Sequence, residues 1–149
     1  MVELKKPVVI LIAEDDDDYY ALFKEALEQF HLINSVRRVA DGEELMDYLL
    51  HCGKFKNGAD APKPGLIFLD INMPKKSGLE ALKEVKTYPE LCRIPVVMLT
   101  ISRDQKDISR SYALGACSFI TKPLGFHQLV EALRVFQQYW FEIVTLPAD

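Results

Sequence analysis

Cysteine is scarce, tryptophan occurs once, and no basic stretch or long apolar run is present. Each shortage excludes something. The three cysteines, Cys52, Cys92 and Cys117, are odd in number and form no CxxC spacing. A disulfide framework is therefore excluded, and reduced, mostly buried thiols of a cytoplasmic protein are expected. The three histidines, His31, His51 and His127, lie far apart and lack metal-ligand spacing, so they read as surface or half-buried side chains. The net charge is -4 with acids and bases interspersed. Without a Lys/Arg stripe or a basic tail, the composition speaks against nucleic acid as a partner. No run approaches the roughly 18 apolar residues of a membrane span. The short apolar run at 8–13 is followed by Asp15, Asp16, Asp17 and Asp18 rather than by a small-residue cleavage site, which argues against a signal peptide. The acidic run also lacks the central glycine of an EF-hand loop. There is no internal repeat and no low-complexity segment.

What is present is enough apolar material for one core. Hydrophobic residues make up 49% of 149 positions, and the chain is expected to form a single domain over 1–149. Five strand-like runs stand at 8–13, 36–40, 66–69, 96–99 and 117–121. Helical spacing occupies 19–30, 42–50, 79–85, 108–114 and a long final stretch over 126–144. The segments 53–65 and 89–95, rich in Gly, Pro, Asn and Lys, read as loops. Strands alternating with helices predict an α/β fold, a doubly wound five-stranded parallel sheet. Continuous apolar runs suit strands covered on both faces. In such a sheet ligands bind beyond the carboxyl ends of the strands.

The residues at those ends share one chemistry. The first strand runs into Glu14 and Asp15, the third into Asp70, the fourth into Thr100, and the fifth into Lys122 and Pro123. The carboxylates suit a hard divalent cation, most simply Mg2+. A carboxylate can itself attack phosphorus to give an acyl phosphate. Phosphoryl transfer then needs charge neutralisation and positioning, which a lysine and a hydroxyl supply. Asp16, Asp17 and Asp18 read as caps of the following helix.

These residues lie in Ile-Ala-Glu-Asp-Asp (12–16), Leu-Asp-Ile-Asn-Met-Pro (69–74) with Gly78, Pro-Val-Val-Met-Leu-Thr (95–100) and Phe-Ile-Thr-Lys-Pro (119–123). With these segments the chain resembles the receiver domain of two-component response regulators over essentially its whole length. The resemblance implies a flavodoxin-like, receiver-type fold and a phosphoacceptor switch rather than a turnover enzyme. It implies Asp70 as phosphoacceptor, with Glu14, Asp15, Asp70 and the backbone carbonyl of Asn72 around Mg2+. It further implies Thr100 as switch hydroxyl, Phe119 as the aromatic that turns with it, and Lys122 as the phosphate-pairing lysine. The Lys122–Pro123 bond is a candidate for the cis form usual in the family.

Two further features narrow the resemblance. The insertion over 54–64 and the apolar ending over 138–147 are similar to those of single-domain regulators paired with bacterial phytochromes. A sensor histidine kinase, of the phytochrome type, is the partner this implies. Only 145–149 follow the last expected helix, so no output domain is expected and output should pass through protein contacts. One position departs from the family pattern: Ile101 stands where a small residue is usual, and should crowd the phosphorylation pocket.

Phe126, Leu129, Val130, Leu133, Phe136, Trp140 and Ile143 form a stripe expected to pack on the sheet. Val135, Tyr139 and Phe141 lie off that stripe. An aromatic-rich surface of this kind predicts a homodimer through the fourth helix, the fifth strand and the final helix. The enzyme-class alternative is a phosphatase of the haloacid dehalogenase type. That family would need Asp-x-Asp after the first strand, whereas here the candidate nucleophile follows the third.

Overall fold

The computed structural model describes residues 8–30 and 35–147; His31 lies outside them. The order of elements is β1 (Ile10–Ala13), α1 (Asp17–Glu28), β2 (Val36–Val39), α2 (Gly42–Leu50), β3 (Leu66–Leu69), α3 (Gly78–Val85), β4 (Val96–Thr100), α4 (Gln105–Ala113), β5 (Ser118–Thr121) and α5 (Phe126–Gln137). A 3-10 turn at Gly53–Phe55 follows α2, and a π-helical stretch, Gln138–Ile143, continues α5. The five strands form one sheet in the order β2-β1-β3-β4-β5, and every pairing is parallel.

The continuous apolar runs have the expected cause. Alternate residues of each inner strand feed different cores. Leu11, Ala13, Ile67, Leu69, Val96 and Met98 meet α2 and α3 on one face. Ile10, Ile12, Leu66, Phe68, Val97 and Leu99 meet α1 and α5 on the other. Both faces being dry, these inner strands leave no position for a polar side chain until their ends. Helices α1 to α4 begin at short polar side chains that take up free backbone N–H groups. Asp16 accepts from Asp18 and Tyr19, Asp41 from Glu44, Ser77 from Glu80 and Asp104 from Lys106.

Four expectations need correction. The first strand begins at Ile10, not at residue 8, because its partners Val36 and Leu66 start there. The thiols are not mostly buried: Cys52 and Cys117 are exposed and Cys92 half-buried, since all lie in or beside turns; all three are free. The segment 53–65 is not an open loop. Phe55 packs edge-on against Tyr48 with ring centroids 5.1 Å apart, Ala61 is fully buried, and the Tyr48 hydroxyl donates to the Pro62 carbonyl at 2.7 Å.

The fourth correction concerns the final helix. It changes pitch after Gln137, where Val144 N–H donates to the Tyr139 carbonyl five residues back. A wider turn rotates each following side chain relative to an α-helical stripe. Phe141, off that stripe in sequence, therefore joins Trp140 against Phe136, with centroids 6.3 Å and 5.9 Å away. Ile143, on the stripe in sequence, is exposed, and so is Phe126 at the first residue of α5. No helix among the described residues is long and apolar enough to cross a membrane.

Candidate functional site

The chain leaves β1 outward to β2 and then crosses back to β3, so the strand order reverses between β1 and β3. Crevices for ligands open at such a reversal, beyond the carboxyl ends. Glu14 and Asp15 follow β1 there and Asp70 follows β3. The expected residues Glu14, Asp15, Asp70, Thr100 and Lys122 all stand at this end of the sheet.

Asp70 is 5% exposed and both of its oxygens are engaged. Oδ2 meets Lys122 Nζ at 2.8 Å, and Oδ1 accepts from Asn72 N–H at 3.2 Å. Glu14, 1% exposed, places Oε1 at 2.5 Å from the same ammonium, while Oε2 accepts from Asp16 N–H at 3.2 Å. Asp15 is exposed, and one oxygen from each of Glu14, Asp15 and Asp70 lies within 4.8 Å of the others. Thr100 is fully buried; its Oγ1 accepts from Ser102 N–H at 3.4 Å, and its carbonyl accepts from Lys122 N–H at 2.8 Å. Phe119 is half-buried on β5, and its N–H donates to the Tyr112 hydroxyl at 3.1 Å. For Asn72 the geometry concerns the N–H; the role of its carbonyl rests on the resemblance.

The loop carrying Asp70 closes through a glycine. A Cβ on Gly78 would stand 2.0 Å from the Asp70 carbonyl oxygen, so any side chain would force α3 away from the phosphoacceptor candidate. Ile101 is 59% exposed beside Thr100, so it does not belong to the core. The Lys122–Pro123 bond is trans, against expectation: no cis peptide occurs among the described residues. An X–Pro bond carries an intrinsic trans preference of about 0.5–1 kcal/mol. In the trans form the Pro123 carbonyl receives the Tyr19 hydroxyl while Lys122 still reaches both carboxylates.

Burial is the largest influence on Glu14 and holds its carboxyl above the usual range; Asp70 adds to this, and Lys122 opposes it. Burial pushes the Lys122 ammonium down, but hydrogen bonds to Asp70 and Glu14 outweigh it and the net shift is upward. A group of three carboxylates facing one ammonium carries a surplus of two negative charges. Hard oxygen donors in that number and with that surplus fit a divalent cation.

Two further residues reach the site. Tyr19, 8% exposed on α1, presents its ring to Lys122 Nζ at 4.5 Å from the centroid. Arg38, at the end of β2, donates Nε–H to the Glu14 carbonyl at 3.0 Å and pairs with Asp17 at 2.7 Å. Its guanidinium carbon lies 5.0 Å from the Tyr20 ring centroid, and its second terminal nitrogen is buried without a hydrogen-bond partner. The signal available for Arg38 is the pair Arg37-Arg38 inside a short strand. For Tyr19 there is none, since its partners Lys122 and Pro123 lie more than 100 residues away.

Known proteins resemble this chain in sequence and fold. The family described as response regulator receiver domain matches residues 10–134. Response regulator Rcp1 of Synechocystis sp. is 38% identical over 146 residues, 98% of this chain and 97% of that one. The solved Mn2+-bound form of Rcp1 matches with a TM-score of 0.86 at 38% identity, covering 95% of this chain and all of that one. The phosphorylated cyanobacterial phytochrome response regulator RcpA matches with a TM-score of 0.88 at 38% identity, covering 96% of this chain and all of the other.

Proposed function

The chain belongs to the response regulator receiver domain family, and from that premise we propose that it accepts a phosphoryl group from a sensor histidine kinase onto Asp70. An Asp70 oxygen attacks phosphorus, the bond from phosphorus to the donor imidazole breaks, and the electron pair leaves on that nitrogen. Mg2+ held by Glu14, Asp15, Asp70 and the Asn72 carbonyl would neutralise the reacting oxygens. Lys122 pairs with phosphoryl oxygens as a point charge. Thr100 is drawn toward the phosphoryl group and Phe119 turns toward the space it leaves, so the packed face of α4 and β5 relays the change. Water attack on the acyl phosphate resets the switch.

The observation that carries this reading is the convergence of Glu14, Asp15 and Asp70 with Lys122, two buried carboxylates sharing one buried ammonium at 2.5 and 2.8 Å. The phosphatase alternative would need its nucleophile after β1, whereas Asp70 follows β3, and the chain's family is a different one. The relatives Rcp1 and RcpA support a phytochrome-type kinase as partner. A cytoplasmic location follows from a kinase of that kind.

Incubation with acetyl phosphate and Mg2+, read by intact-mass spectrometry, tests the chemistry. Wild type should gain one base-labile phosphoryl group. Asp70→Asn, whose amide cannot attack phosphorus, and EDTA-treated wild type should gain none. Labelling of Asp70→Asn at the wild-type level would sink the assignment.

Output through self-association is the second part of the proposal. Tyr112, Val135, Tyr139 and Ile143 are exposed apolar side chains on α4, α5 and its π-helical extension. A homodimer through α4, β5 and the final helix would cover them on both copies by two-fold symmetry. Sedimentation at micromolar concentration should give a dimer; a monomer both before and after labelling would reject it.

A further inference from the structure

The buried ammonium of Lys122 has three partners, and they differ in what phosphoryl transfer does to them. Two are carboxylates, Glu14 Oε1 at 2.5 Å and Asp70 Oδ2 at 2.8 Å. The third is the ring of Tyr19, whose centroid lies 4.5 Å from Nζ. That is inside the range of about 6 Å over which a ring face attracts a cation. The Tyr19 hydroxyl reaches past the lysine and donates to the Pro123 carbonyl at 3.1 Å. One side chain of α1 therefore holds both the head of Lys122 and the backbone immediately after it. Burial, with the charges of Glu14 and Asp70 adding to it, pushes the Tyr19 phenol far above its ordinary range, so the hydroxyl stays a donor.

Both carboxylates change partners in the reaction. Asp70 gives an oxygen to phosphorus, and Glu14 is a candidate cation ligand. A lysine held by them alone would lose its anchors as the phosphoryl group arrives. An aromatic face is different: it is neutral, it takes no proton, and it is no match for carboxylate as a ligand of a hard divalent cation. It can keep hold of the ammonium while the anions are reassigned.

We propose that Tyr19 is a positioning residue for phosphoryl transfer, its ring face keeping Lys122 Nζ at the site while Glu14 and Asp70 exchange partners. The hydroxyl has the lesser part, fixing the Lys122–Pro123 backbone from which the lysine reaches inward. The inference rests on the reading of Asp70 as phosphoacceptor.

The test is acetyl phosphate labelling of the full chain over a range of donor concentrations at fixed Mg2+. It compares wild type, Tyr19→Leu, Tyr19→Phe, and Tyr19 replaced by phenylalanines with one, two or three ring fluorines. Fluorine drains the ring face and weakens its hold on a cation with little change of shape. Tyr19→Leu should lower the limiting rate about tenfold, between the effects expected for an exposed and for a fully desolvated cation–π contact. Its half-saturating donor concentration should change little. Tyr19→Phe should recover the rate to within about threefold of wild type, and the logarithm of the rate should fall with each fluorine. A flat fluorine series, or Tyr19→Leu labelling at the wild-type rate, overturns the inference. If Tyr19→Leu does not fold, the fluorine series alone decides, because it preserves packing. Wild type that takes no label on Asp70 removes the functional reading and this inference together. Normal wild-type labelling with a flat series removes only the inference.

Discussion

Two lysines withdraw from water at opposite ends of the same sheet, and they are satisfied in different ways. Lys122 follows β5 at the carboxyl end and meets two carboxylates. Lys86 caps the end of α3 and donates to the backbone carbonyls of Cys92 and Ile94, at 2.9 and 3.3 Å, just before β4. Its stem lies beneath Gly115, where an added Cβ would come 3.2 Å from Cε and where φ is +108°. Carbonyls of a loop cannot leave, so Lys86 fastens the loop. Carboxylates can be reassigned to a metal or to phosphorus, so Lys122 holds the site in a state that a ligand can alter. The amino end carries further fixed contacts, Tyr48 on Pro62 and Phe55 and the His51 ring nitrogen on the Ala61 carbonyl at 2.9 Å. Lys86 rests on fixed neutral partners, and Lys122 on exchangeable charged partners beside one neutral ring.

The largest expected effect breaks this separation if it is false. Phe55→Ala removes a nearly buried ring from its edge-on contact with Tyr48. Truncating a core phenylalanine costs about 3–5 kcal/mol, and at 9% exposure about 3 kcal/mol is expected here. Urea unfolding measures it. Acetyl phosphate labelling of the folded variant should be unchanged, because no contact of Phe55 reaches the acidic cluster. Slower labelling at temperatures where the variant is fully folded would show the two ends to be coupled.

The same division explains what can be read from the sequence. Glu14, Asp70, Thr100 and Lys122 are legible because each ends an apolar run, and the doubly wound topology brings run ends together. The inner strands are legible because both faces of each are apolar. Tyr19 and Arg38 are not, since their roles depend on which strand lies across from them; Tyr19 interrupts no pattern, and Arg38 interrupts one without revealing its partner. Phe55 and Ala61 hide in a segment whose Gly, Asn and Lys content spells loop; an isolated phenylalanine there was the available sign of packing. The ending 138–143 misleads because its helical period changes, and a stripe drawn at the α-helical period then assigns Phe141 and Ile143 to the wrong sides.

The smallest effect sharpens the comparison through pH. Burial is the main cause that lowers the Lys86 ammonium below its usual value, with the Cys117 and Cys92 thiols facing it and opposing the shift. A lysine whose folded pKa lies below its unfolded one loses its proton first in the folded chain. The unfolded chain then binds more protons, and stability rises with pH between the two values. Lys122 is shifted the other way, so its contribution is intact below the unfolded lysine value and is lost only as pH climbs through its higher folded one. Unfolding free energies of wild type and Lys86→Met, measured from about pH 8 to about pH 10.4, isolate the first group, because the rest of the chain cancels in the difference. Wild type should gain on Lys86→Met as pH rises through this window. The corresponding difference for Lys122→Met should stay level over the same window. The Cys117 sulfur, 3.3 Å from the Val96 carbonyl, is desolvated on that side although the residue as a whole is exposed, and this pushes its own titration upward, which keeps it from neutralising the effect early. A level difference for Lys86→Met would mean that the two carbonyls hold its ammonium as firmly as carboxylates do, and the contrast between the two ends of the sheet would be lost.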